Sequence, residues 1–292
     1  MRVWSHDRYR FPLPDRHRFP IDKYPLLRER LEAEGHEILE AEPIAWDLVT
    51  RVQAPALVER IRNGDLTLRE QRGLGLPWSP ELVERARRTT AGTLAAARHA
   101  LDHGTAINLG GGTHHAGRTF ARGYCLFNDV AVAIATLRDE GAINGAVVVD
   151  CDVHQGDGTA QIFAADPATF TVSMHGARNY PFERIPSDLD VELPSGTGDA
   201  AYLRALEGAL DRLPAFDAAF YLAGADPWEG DRLGHLALTK EGLRARDELV
   251  LDRLLTPVAS VCVVLAGGYA EDPRDTVDIN AATVAAVAAR AR

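Results

Sequence analysis

Residues 147–158 read VVVDCDVHQGDG, an apolar run that passes directly into Asp150, Asp152, His154 and Asp157. Donors at alternate positions fall on one face of an extended chain, so Asp150, Asp152 and His154 converge if the strand continues that far. Carboxylate and imidazole together suit Zn2+, which keeps three protein ligands and an open position when it is catalytic. Fe2+ accepts the same donors. Asp152 and His154 form a natural pair, and a third ligand must come from elsewhere. Asp226 is the candidate: it follows an apolar run and the small residues Ala223, Gly224 and Ala225, which permit close approach. An isolated Asp after a strand ordinarily caps a turn or a helix. The acid and imidazole run at 150–157 shifts that reading toward a metal.

Two other segments carry groups that move or hold protons. Residues 109–116 (LGGGTHHA) end an apolar run in three glycines and then His114 and His115. A histidine that transfers protons needs a partner to fix its tautomer. Asp150 and Asp157 are the carboxylates not required by a metal, so the expected pairs are His114 with Asp150 and His115 with Asp157. Residues 265–270 (LAGGYA) place Tyr269 just past a strand-like run, where its hydroxyl can donate to a carbonyl and to a developing oxyanion.

Something must bring these segments together. Apolar, β-rich runs at 105–109, 145–151, 169–174, 217–223 and 258–265 predict strands, several of them apolar throughout, as in a sheet covered on both faces. Helical patterns fall near 25–34, 80–102, 128–140, 199–212, 240–255 and 279–291. Ser79 before Pro80 predicts an N-cap, and Thr239 marks another helix start. Alternating strands and helices predict an α/β fold with a mainly parallel sheet, in which ligands bind at the carboxyl ends of the strands. Gly110–His115, Asp150–Asp157, Ser173–His175, Asp226 and Gly267–Tyr269 all fall at such ends. Residues 180–198, rich in Pro, Ser, Asp and Gly, read as a long loop within one domain of residues 1–292. The basic, aromatic stretch 5–23 reads as a surface loop lining a cleft.

The bulk composition is compatible with an enzyme of this kind. A chain of 292 residues that is 46% hydrophobic can bury a large core. No apolar run is long enough for a transmembrane helix and no signal-like segment opens the chain, so a cytoplasmic protein with no membrane partner is expected. The net charge of −10 disfavours direct nucleic-acid binding; it either sets up a negative field that attracts cationic substrates or serves solubility alone. Cys125, Cys151 and Cys262 form no CxxC pair, against a disulfide framework or a cysteine zinc site.

Taken together, LGGGTHHA, GYCLFNDVAVAI, VVVDCDVHQGDGTAQIF, TVSMHG, AGADPWEGDRLG and LAGGYA resemble the motifs of the arginase/deacetylase superfamily, specifically the histone deacetylases. Residues 17–31, 75–88 and 229–239 look most like the class IV branch and its bacterial relatives. The resemblance runs from about residue 17 to 285. It implies a three-layer open α/β/α fold with a mainly parallel eight-stranded sheet. It also implies Zn2+ at Asp152, His154 and Asp226, His115 as general base and acid, His114 as electrostatic support and Tyr269 on the amide carbonyl. Gly123 and Tyr124 match the pair that lines an acyl-lysine tunnel. A structural K+ is implied at Asp150, Asp152, His154, Ser173 and Met174, partly through backbone oxygens. Tyr124 stands where Phe is common, Ala266 where Gly often precedes Gly-Gly-Tyr, and Cys151 where Leu is frequent, departures that bear on substrate preference. The implied activity is hydrolysis of N-acyl-lysine amides in proteins. Acetylpolyamines, other small acylated amines and long fatty-acyl lysines are the alternative substrates.

Overall fold

The structure is a computed structural model that describes residues 1–15, 17–256 and 259–291. In chain order its elements are β1 (Arg2–Trp4), α1 (Lys23–Ala33), β2 (Glu37–Leu39), α2 (Trp46–Thr50), α3 (Pro55–Asn63), α4 (Leu68–Leu74), α5 (Pro80–His103) and β3 (Thr105–Asn108). There follow α6 (Asp129–Asp139), β4 (Ala146–Asp150), α7 (Asp157–Phe163), β5 (Thr169–Gly176), β6 (Leu189–Leu193) and α8 (Asp199–Leu210). The chain closes with β7 (Ala218–Gly224), α9 (Lys240–Leu254), β8 (Ser260–Ala266) and α10 (Pro273–Ala288).

The eight strands form one sheet in the order β2-β1-β3-β8-β7-β4-β5-β6, with every neighbouring pair parallel. Every residue of β4, β7 and β8 is buried, because helices cover both faces. The two-residue period of a strand divides these apolar runs between two cores. Val148, Phe220 and Val264 pack with α3, α5 and α6 on one side; Val149, Tyr221 and Val263 pack with α1, α8, α9 and α10 on the other. This is the three-layer α/β/α arrangement expected from the sequence.

Local signals account for several boundaries. Ser79 Oγ accepts the Leu82 N–H at 3.1 Å and starts α5, and Thr239 Oγ1 accepts the Gly242 N–H at 2.9 Å to start α9. Other expectations need correction. The 180–198 segment is not loop throughout: Leu189–Leu193 adds the outer strand β6 beside β5. The last helix begins at Pro273, capped by Asp272, rather than near 279. The strand expected at 258–265 runs from Ser260 to Ala266, and position 258 lies outside the described residues. Strand β4 ends at Asp150, so Asp152 and His154 belong to the turn that follows it. Among the described residues, no helix is long and apolar enough to cross a membrane.

Candidate active site

Strand order sets the site. From β3 the chain crosses to β4, skipping two positions that β8 and β7 fill later, and a crevice forms over the carboxyl ends of these strands. The segments after β3, β4, β7 and β8 meet there in a cavity of about 640 Å³, lined by His114, His115, Tyr124, Asp152, His154 and Tyr269 among others.

Asp152 and His154 line this cavity, and with the buried Asp226 they form a group with one donor atom from each within 4.8 Å of the others. His154 Nδ1 sits 2.8 Å from Asp152 Oδ1 and 3.4 Å from Asp226 Oδ2. Asp226 Oδ1 accepts the Val153 N–H at 2.9 Å. Its Oδ2 is buried with no hydrogen-bond donor, a costly state for a carboxylate unless a cation meets it. Burial and the charge of Asp152 push the Asp226 carboxyl up to about 6. Two carboxylates and an imidazole with one oxygen unanswered fit a divalent ion bound by three protein ligands. Close packing helps: Gly267, at φ 54°, lies so near the Asp226 carboxylate that any Cβ there would collide with it.

Above this group stand two histidine–carboxylate pairs. His114 Nδ1 is 2.6 Å from Asp150 Oδ2, and His115 Nδ1 is 2.5 Å from Asp157 Oδ1. These are the pairings the sequence suggested. The ring centroids of the two histidines are 4.1 Å apart, but their electrostatics differ. Burial pushes His114 down, yet the charges of Asp150 and Asp152 outweigh it and hold His114 up to about 9. Burial and the adjacent charge of His114 push His115 down to about 4 despite Asp157. At neutral pH His115 is therefore a free base beside a cation. Tyr269 lines the same cavity. Burial and the charges of Asp152 and Asp226 keep its phenol protonated, as a donor must be.

Gly123 and Tyr124 line the approach. Gly123, at φ 58°, abuts the His115 ring, where a Cβ would clash. The Tyr124 and Tyr269 rings are 6.0 Å apart. Ser173 pairs in register with Asp150 on the adjoining strand, and Met174 is buried next to it. Of the residues singled out from the sequence, His114, His115, Gly123, Tyr124, Asp152, His154 and Tyr269 line the cavity, Asp150, Asp157 and Asp226 contact lining residues, and Ser173 and Met174 lie on β5.

Four residues escaped sequence reasoning. Arg122 bonds the second oxygen of Asp157 and so fixes the partner of His115. Tyr180 packs edge-on against His115, with centroids 5.0 Å apart. Lys23 donates to the carbonyls of Gly267 and Gly268, tying the turn before Tyr269 to α1. The local signals were the Arg122-Gly123-Tyr124 adjacency and the place of Lys23 at the end of the basic, aromatic stretch 5–23. The fourth, Arg246 of α9, supports the Asp152, His154 and Asp226 group from the far face of the sheet. Its Nη1 donates to Gly224 O at 2.5 Å and Cys151 O at 3.4 Å, carbonyls close before Asp226 and Asp152. It pairs with Asp247, which also accepts from Tyr221 Oη at 2.5 Å and Thr283 Oγ1 at 2.6 Å. Arg246→Met strands a buried carboxylate and is expected to lower unfolding free energy by about 3–5 kcal/mol in denaturant titration. Adding Asp247→Asn should recover part of that loss.

The acidic balance of the chain does not extend to this cavity. Its lining carries Arg18, Lys23, Arg72, Arg85 and Arg178, against the single carboxylate of Asp152.

Residues 17–286 match the histone deacetylase domain family. An uncharacterised protein of Picosynechococcus sp. is 42% identical over 286 residues, covering 94% of each chain. Histone deacetylase 2 of Arabidopsis thaliana is 33% identical over 63% of this chain and 49% of its own length. The human polyamine deacetylase HDAC10 is 36% identical over 53% of this chain and 26% of its own. The chain thus spans about half of the plant relative and a quarter of the human one. Among solved structures, a histone deacetylase homologue from Aquifex aeolicus superposes with a TM-score of 0.81 at 22% identity, covering 97% of this chain and 82% of that one. A histone deacetylase homologue complexed with SAHA superposes at 0.82, with the same identity and coverage.

Proposed function

This chain belongs to the histone deacetylase family, and from that premise we propose that it is a metal-dependent amide hydrolase that releases acyl groups from the side-chain amine of lysine in proteins. One observation carries the reading: His114, His115, Asp152, His154 and a protonated Tyr269 line one cavity, with Asp226 grouped with Asp152 and His154 and with Asp150 and Asp157 bonded to the two histidines. Zn2+ is the ion we assign, and Fe2+ satisfies the same donors. When bound, the ion supplies Lewis acidity toward the acyl carbonyl and the attacking water.

The protein's own groups do the rest. Asp157 engages His115 Nδ1 and leaves Nε2 to take a proton from the attacking water. Water oxygen bonds the carbonyl carbon, and the Tyr269 hydroxyl donates to the oxygen on which charge develops. His115 then passes the proton to the departing nitrogen as the C–N bond breaks, giving a free amine and a carboxylate. His114, held cationic beside Asp150, keeps His115 deprotonated at rest and adds positive charge near the oxyanion. Gly123, Tyr124 and Tyr180 flank the acyl-lysine stem and exclude water.

We also place a structural K+ by Asp150, Asp152, His154, Ser173 and Met174, a reading supported by the register of Asp150 with Ser173 and their burial. Residues 17–31, 75–88 and 229–239 favour the class IV branch. A longer acyl chain is the second reading, favoured by the apolar walls of Phe11, Leu82 and Ala86 in the same cavity.

The test is an acyl-lysine panel run with metal analysis. Acetyl and myristoyl peptides and acetylspermidine are incubated with protein loaded with Zn2+ or Fe2+, and free amine is measured. We expect release from at least one peptide at roughly stoichiometric metal and none after chelation. Release that persists without metal would refute the assignment.

A further inference from the structure

The charges at the cavity mouth have a sign opposite to that of the molecule. The chain has 42 Asp and Glu against 32 Lys and Arg, so the molecule as a whole is acidic. The cavity lining instead has five cations and one carboxylate, and that carboxylate, Asp152, belongs to the metal group. Three of the cations, Arg18, Arg72 and Arg178, are exposed. None has an ion pair or hydrogen bond from its side chain among the described residues. Several exposed arginines elsewhere are tied to carboxylates, among them Arg10 to Asp22, Arg30 to Glu34 and Arg290 to Asp252. An unanswered guanidinium is a ready partner for a carboxylate on another molecule.

Their placement comes from the fold. Arg18 lies in the segment before α1, Arg72 in the last turn of α4, and Arg178 in the turn after β5. Three separated segments thus bring unpaired arginines to one opening, beside the aromatic side chains of Phe19, Tyr124 and Phe182. Phe182 is 88% exposed, one of two large apolar side chains left so open among the described residues. A rim of arginine and aromatic groups is the composition of a surface that binds an extended peptide. A polycationic amine would meet repulsion there, and net charge opposes a nucleic acid over the remaining surface.

We propose that this mouth selects acyl-lysine set in an acidic peptide segment, with Arg18, Arg72 and Arg178 receiving carboxylates that flank the modified residue. The inference rests on the hydrolase reading for its acyl-lysine and on the rim alone for its charge.

The experiment separates the two. Acetyl-lysine peptides flanked by Asp and Glu, by Ser and Gly, or by Lys and Arg are compared with acetylspermidine on the metal-loaded full chain. Wild type and an Arg18→Gln, Arg72→Gln, Arg178→Gln variant are assayed for kcat/KM and, with fluorescent peptides, for binding by anisotropy. Electrostatic attraction of this kind is worth from about tenfold upward at low salt. We expect acidic peptides to exceed basic ones by about tenfold or more, the ratio to fall at high salt, and the triple variant to bring it to within about threefold. A melting curve checks that the variant is folded. Hydrolysis without charge preference, a preference unchanged in the variant, or acetylspermidine as the best substrate overturns the inference and leaves the hydrolase reading standing. Acidic peptides that bind through the rim but are never cleaved sink the hydrolase reading and leave the rim.

Discussion

Replacing Asp152 by alanine is expected to empty the metal centre and to bring acyl-lysine hydrolysis down to the level of chelated protein. Asp152 contributes more than one donor atom. Its Oδ1 accepts the His154 N–H at 2.9 Å and lies 2.8 Å from His154 Nδ1, so its loss also frees the second ligand. Removing a group that merely orients a metal ligand already costs about 10–100-fold in metal affinity or activity, and removing the ligand itself should cost more. Two measurements check this. Metal content after dialysis should fall from about one ion per chain to near zero. Added Zn2+ should raise the melting temperature of the wild type and leave the variant unmoved, because only a folded state with a site gains from the ion. A variant that keeps its metal would move the centre away from this triad.

Tyr269→Phe should separate binding from catalysis. The phenylalanine ring fills the same space, and the turn beneath stays in place, because Lys23 bonds the Gly267 and Gly268 carbonyls and Asp231 Oδ2 accepts the Tyr269 N–H at 2.6 Å. Only the hydroxyl goes. Losing one donor to a developing oxyanion lowers kcat by about 100–1000-fold. Metal content, melting temperature and KM for an acetyl-lysine peptide should change little. Wild-type turnover in this variant would take the oxyanion role from Tyr269, whereas loss of metal would make it a support of the centre.

Much of the site was visible in the sequence because its chemistry sits in short runs. Asp152 and His154 are two residues apart, His114 and His115 are adjacent, and each run follows an apolar strand whose end marks a ligand crevice. The central strands were legible for the same reason, since burial on both faces makes them apolar throughout. What stayed hidden depends on distant partners. Strands β1 and β2 have three residues each, too few to show a period, and exist because they extend a sheet whose other members lie far along the chain. Strand β6 is only partly buried, so its residues Leu189–Leu193 alternate weakly within a stretch dominated by turn formers. Arg246 and Lys23 act across 22 and 244 residues of sequence, and no local spacing reveals a lysine on α1 that bonds a turn after β8. The acidic composition, true of the whole, gave no sign of the arginines and lysine that line the cavity.

The late insertion of β7 and β8 has a consequence for how the enzyme is made. The two histidine–carboxylate pairs are complete in the first 157 residues of the chain, yet β3 and β4, which carry them, have no common edge. The inner edge of β4 is covered by β7, but β3 gains its partner on that side only with β8, which begins 110 residues after Asp150. A nascent or truncated chain that stops short of Ser260 has both histidine–carboxylate pairs in its sequence, but lacks the strand that joins β3 to β7. Such open edges recruit other chains. Pairing of β8 is therefore the step that fixes the segment after β3, with His114 and His115, beside the carboxylates that follow β4.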